Sequence, residues 1–81
     1  MTNMMETMTM SESNFYMDAA TKAARAERDG SFTFAKQLWE SAAYSALCGQ
    51  NRRWALARAD HCRAQVAIQR RAQDMQEVVH V

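Results

Sequence analysis

The residues of this 81-residue chain that are best equipped for chemistry are few: Cys48 and Cys62, His61 and His80, and hydroxyls such as Ser41. Zinc would need a cluster of the thiols and imidazoles. His61 and Cys62 are neighbours, so on a helix they point about 100° apart and do not comfortably ligate one ion. Cys48 and His80 are the only other ligands of that kind, so neither a metal nor a cofactor is expected. Catalysis finds no foothold either. There is no glycine-rich phosphate loop, no paired-carboxylate motif and no nucleophile with an identifiable base. A non-enzymatic role follows as the expectation, with Ser41 and His61 serving packing or surface roles.

The remaining chemistry is charge. Residues 51–81 carry Arg52, Arg53, Arg58, Arg63, Arg70 and Arg71 against Asp60, Asp74 and Glu77, while residues 1–50 hold four basic and six acidic side chains. A basic C-terminal segment suits nucleic acid or an acidic protein face, although the formal charge of the whole chain is only +1. Placed on a helix, the six arginines do not form one stripe: Arg52, Arg63 and Arg70 fall close together, and Arg53 and Arg71 lie elsewhere. That scatter weakens groove binding, and no recognition helix is evident. Arg58 has two candidate ion-pair partners, Glu27 and Asp60.

These residues have to be positioned by helices. Proline is absent and only Gly30 and Gly49 interrupt the chain. Alanine, arginine, glutamine and glutamate, all strong helix formers, dominate from Asp18 onward. An all-α, single-domain protein is expected, with helices at about 14–28, 32–48 and 52–77. Residues 1–13 hold five of the seven methionines and no helical stripe, and read as a disordered tail. Ser13 or Asn14 is a competent N-cap for the first helix, whose apolar face is Phe15, Ala19, Ala20, Ala23 and Ala26. Asp29-Gly30 ends it. The second helix should bury Ala35, Leu38, Trp39, Ala42 and Ala46, with Phe32 closing the turn and Gly49 as its C-cap. Asn51 should cap the third helix. Connections this short impose a roughly antiparallel packing.

The third helix carries two apolar stripes. Trp54, Ala55, Ala59, Cys62 and Val66 are assigned to the core. Ile68, Ala72, Met75 and Val79 follow at spacings of four, three and four, but the step from Val66 to Ile68 turns about 200°. The second stripe therefore faces away from the first and is read as a seam for a partner or for self-association, flanked by Arg70, Arg71, Asp74 and Glu77. No apolar run is long enough to span a membrane. Nothing resembles a secretory signal or a disulfide framework, so two unbridged thiols in a reducing cytoplasm are expected.

The most informative pattern is Gly30-x-Phe32-x-x-Ala35-x-x-Leu38-Trp39-x-x-Ala42. It resembles the turn and second helix of a tetratricopeptide-type hairpin: glycine for the turn, an aromatic at the hairpin mouth, small alanines for close approach. One and a half such repeats make a compact three-helix unit rather than a solenoid. Joined to Asn51-x-x-Trp54-Ala55-x-x-Arg58-x-x-x-Cys62, and with Phe15, Ala19, Ala23 and Glu27 upstream, the pattern resembles the ANR family, the AraC negative regulators of Gram-negative bacteria and their mobile elements. The resemblance covers roughly Asn14 to Arg71. It implies a small bacterial repressor that binds an AraC/XylS-type virulence activator and impairs its dimerisation or DNA binding. The PerC-like regulators share a similar arrangement, and likeness to them implies DNA contact instead. A helical dimerisation module with no regulatory role is the third reading. Arg52, Arg53, Trp54 and Arg58, with the 68/72/75/79 seam, are the candidate partner-binding residues. Phe15, Phe32, Ala35, Leu38, Trp39, Ala42 and Cys62 are the candidate core.

Overall fold

The computed structural model describes residues 12–80, with side chains described as far as Gln76. The Met-rich segment expected to be a tail therefore lies outside the described residues up to position 11. The described residues form three helices: α1 (Asn14–Arg28), α2 (Phe32–Ser45) and α3 (Gly49–His80). No strand occurs among the described residues, and none of their helices is long and apolar enough to cross a membrane. The all-α architecture of a helical hairpin followed by a long third helix stands.

Ser13 is the N-cap of α1, its Oγ accepting from the Tyr16 backbone N–H at 3.0 Å. Gly30 ends that helix with a φ of +80°, a left-handed conformation that costs glycine nothing. The backbone N–H groups of Gly30 and Ser31 then donate to the carbonyls of Glu27 (3.0 Å) and Ala26 (2.9 Å), closing a Schellman cap. The sharp turn sends α2 back along α1.

The second connection differs from expectation. Helix α2 stops at Ser45 rather than near Cys48, with Ala46 extended at φ −70° and ψ 131°. Gly49 is not its cap but the first residue of α3, and Asn51 lies inside α3 instead of capping it. The reason is a carboxylate that sequence reading had left in the tail. Glu12 reaches the α2–α3 link and accepts from the backbone N–H groups of Leu47 (2.9 Å) and Cys48 (3.1 Å), and from Asn51 Nδ2 (2.7 Å). An anion at this point satisfies amides at the start of α3 and suits the positive end of its dipole.

Helix α2 is the middle element, packing along both α1 and α3, whereas α1 and α3 touch only in passing. The core is built mainly from alanines: Ala23 and Ala26 of α1, Ala35, Ala42 and Ala43 of α2, Ala46, and Ala55 and Ala59 of α3, with Cys62. Small side chains let the helices approach closely, so the two large buried residues, Tyr16 and Trp39, supply much of the apolar area. Phe15, assigned to the core from its spacing, is 79% exposed; its neighbour Tyr16 is buried instead, at 6%. The stripe Ala19/Ala23/Ala26 continues through Tyr16, and position 15 lies about 100° off it. Leu38 and Phe32 are partly buried against the cluster.

Helix α3 outruns its companions. Gln69 Nε2 approaches the Gly30 carbonyl at the α1–α2 turn (3.5 Å), and every described side chain from Ala67 to Gln76 is exposed. The helix continues about 16 Å beyond that level at 1.5 Å per residue.

Candidate protein-interaction surfaces

The polar residues of the sequence motif converge on one carboxylate. Glu27, on the last turns of α1, accepts from Trp39 Nε1 of α2 at 2.7 Å and from Arg58 Nε of α3 at 3.1 Å, with Arg58 Nη2 on its other oxygen. One side chain thus ties all three helices together. Burial pushes the Glu27 carboxyl up, but the hydrogen bonds from Arg58 and Trp39 outweigh it and hold the group below the usual carboxylate range. Arg58 in turn stacks over the Trp54 ring, 5.5 Å from its centroid. Of the two partners open to Arg58, Glu27 is the one used; Asp60 pairs with Arg63, which also reaches Glu40 (3.3 Å).

A second hub is Glu12. Burial raises its carboxyl pKa, yet the amides of Leu47, Ser13 and Cys48 and the Asn51 side chain bring it from the usual 4.5 down to about 2. Ser13 Oγ adds a 2.8 Å donation to the Ser45 carbonyl. Cys62 is fully buried, and burial together with the nearby Glu27 carboxylate lifts its thiol to about 11, which makes it a poor nucleophile.

The signs of these shifts set a pH window. Depressed carboxyl pKa values mean that Glu12 and Glu27 stabilise the fold above about pH 4.5 and lose that contribution as pH falls through their lowered folded-state values, about 2 for Glu12. The raised Cys62 pKa means that the neutral thiol stabilises below pH 9 and its contribution is lost as pH rises through about 11. Thermal melts followed by circular dichroism should therefore show a plateau between those limits and a fall on the acid side. Glu12→Gln should lower the plateau by about 2 kcal/mol, because hydrogen bonds to a charged acceptor become neutral ones. It should also flatten the acid limb.

The candidate partner-binding residues divide. Arg58 is spent on Glu27 and Trp54. Arg52 is exposed, with Nη2 donating to the Ala46 carbonyl at 2.9 Å. Arg53 and Trp54 line a groove of about 1040 Å³ between α1 and α3 together with Tyr16, Met17, Ala20 and Ala24. Trp54 is 55% exposed, so its assignment to the core stripe of α3 is corrected: Ala55, Ala59 and Cys62 are buried there, and the indole is not. Ile68, Ala72 and Met75 are exposed, and Val79 lies beyond the described side chains. On the other side, where α2 meets α3, Tyr44 is 94% exposed and lies beside Leu56, Arg52, Glu40 and Ala43 around a shallow cleft. Spacing alone missed Tyr44 and Leu56, because each falls off the core stripe and reads as an ordinary surface residue.

Among the described residues, no group of three His, Cys, Asp or Glu side chains is placed to hold a metal ion. Comparison of the chain with protein-family models, with curated proteins and with solved structures finds no match.

Proposed function

We propose that the protein is a cytoplasmic, non-enzymatic negative regulator of transcription that captures an AraC/XylS-type activator through its outer helical surfaces. The observation that carries this reading is the division of labour among the side chains. Glu27, Trp39, Asn51, Arg58 and Cys62, five of the residues behind the resemblance to the AraC negative regulators, are used to hold the helices together, while Phe15 and Trp54 of the same pattern face solvent. Large apolar groups, among them Tyr44, Leu47, Leu56 and Trp54, are left facing solvent. Apolar exposure of this kind in so small a domain marks an interaction surface. The Tyr44/Leu56 cleft pairs an aromatic with Arg52, the residue types most often found at binding hot spots.

Direct DNA binding is the weaker alternative, since Arg58 and Arg63 are paired with carboxylates. The test is co-purification of the full chain with purified AraC/XylS-type activators, alongside a gel shift on their promoter DNA. Capture of an activator that persists at high salt supports the reading. A DNA shift by the chain alone, with affinity falling steeply with salt, supports the DNA-binding alternative instead.

A further inference from the structure

The geometry points to α3 as the seam of an antiparallel dimer, with a second copy of this chain as the occupant. Trp54, His61, Ile68 and Met75 recur at intervals of seven residues and are all exposed. Ala57 and Ala64 lie about 60° to one side of the column and Ala72 about 40° to the other. At 100° per residue this column lies about 140° around the helix from the buried Ala55, Ala59 and Cys62 and the partly buried Val66. The outward stripe therefore does not begin at Ile68; it runs from the first turns of α3 into the projecting end. A strict seven-residue spacing drifts about 20° per heptad, the drift that a left-handed two-helix supercoil absorbs.

Self-complementarity selects the second copy, and antiparallel order. With a two-fold axis near Ala64 and Gln65, Trp54 faces the second copy's Met75, and His61 faces its Ile68. Ala64, beside the axis, then faces the second copy's Ala64. Met75 of the second copy would approach the groove that Met17, Ala20, Ala24 and Trp54 leave open between α1 and α3. Each projecting end, whose described side chains past Gln69 are all exposed, thereby lies along the other copy's helices. Charge agrees. Asp60 and Arg71 flank the column on the same side and fall within about one helical turn of each other across the axis. Asp60, which pairs with Arg63 of its own helix, would share its carboxylate with the second copy's Arg71, giving two reciprocal ion pairs. A parallel pairing would set Trp54 on Trp54 and His61 on His61, and would leave the groove unfilled.

Sedimentation equilibrium of the full chain at micromolar concentrations tests this. A dimer is expected, with Ile68→Glu and Met75→Glu each weakening it at least tenfold while the variants stay helical and still melt cooperatively, at a lower temperature because association no longer adds to their stability. Orientation is read from cysteine cross-linking in a Cys48→Ser background. His61→Cys mixed with Ile68→Cys should form a disulfide-linked pair, and neither should link to itself. A monomeric full chain, an unchanged dimer in both glutamate variants, or self-linking of His61→Cys overturns the inference. Activator capture by a monomer would overturn it while leaving the proposed function standing.

Discussion

Trp39→Ala is expected to cost about 3–5 kcal/mol, the usual penalty for emptying a large buried aromatic site. Domains of this size have only a few kcal/mol in reserve, so the variant should show no cooperative thermal transition. Two features make the site demanding. The indole is 4% exposed within a core otherwise built mainly from alanines, and alanines cannot shift to fill the void. Its Nε1 also donates to Glu27 at 2.7 Å, so truncation removes a hydrogen bond from a partly buried carboxylate. Trp39→Phe separates the two effects. It keeps most of the apolar contact and loses the donor, and should cost about 1–3 kcal/mol. Urea unfolding of the two variants gives the comparison. A folded Trp39→Ala protein with near-native stability would mean that the tryptophan is not the post between the helices.

Removing the carboxylate is the second large effect. Glu27→Ala leaves the Arg58 guanidinium and the Trp39 N–H without their partner. Breaking a fully buried ion pair costs about 3–5 kcal/mol. The Arg58 side chain is 29% exposed, and water reaching it reduces the figure to about 2–3 kcal/mol. Arg58→Ala should be milder, since Glu27 keeps the indole donor. A double-mutant cycle should return a coupling of about 1–2 kcal/mol, measurable by urea unfolding. Additive effects would show that the three helices are not tied through this residue.

The parts of this fold that could be read in the sequence are those written in period and punctuation. Gly30 marked the turn because only a left-handed cap closes a helix so abruptly, and Ala35, Trp39 and Ala42 marked the buried face of α2 by their spacing. The misreadings all involve long-range polar contacts or near-degenerate stripes. Glu12 sits at the end of a methionine-rich stretch, and nothing in its neighbours shows that it will bind amides 35 and 36 residues away. That contact also explains why α2 ends early and why Asn51 is not a cap. Phe15 and Tyr16 are adjacent aromatics, and a one-residue error in phase exchanged the buried one for the exposed one. Trp54 precedes Ala55 in the same way. Assigning the tryptophan to the core concealed that it is exposed, as Ile68 and Met75 are.

The interaction surfaces were the least legible. Arg52 and Trp54 were visible as residue types, but Tyr44 and Leu56 come together only because α2 and α3 cross there with small side chains between them. The arginine count pointed toward nucleic acid until the structure paired Arg58 with Glu27 and Arg63 with Asp60 and Glu40. Charge counted along a chain overstates what remains for a partner once the helices have used it.

The claim that the motif residues build the unit while its outer faces bind is tested most directly by one affinity comparison. The full chain and its Tyr44→Ala/Leu56→Glu variant are titrated against a purified AraC/XylS-type activator, with melting curves recorded for both. The predicted result is tight binding by the unaltered chain and a loss of at least tenfold in the variant, with melting unchanged because both side chains face solvent. Equal affinity of the two proteins, or no binding to any such activator of the host, would contradict it.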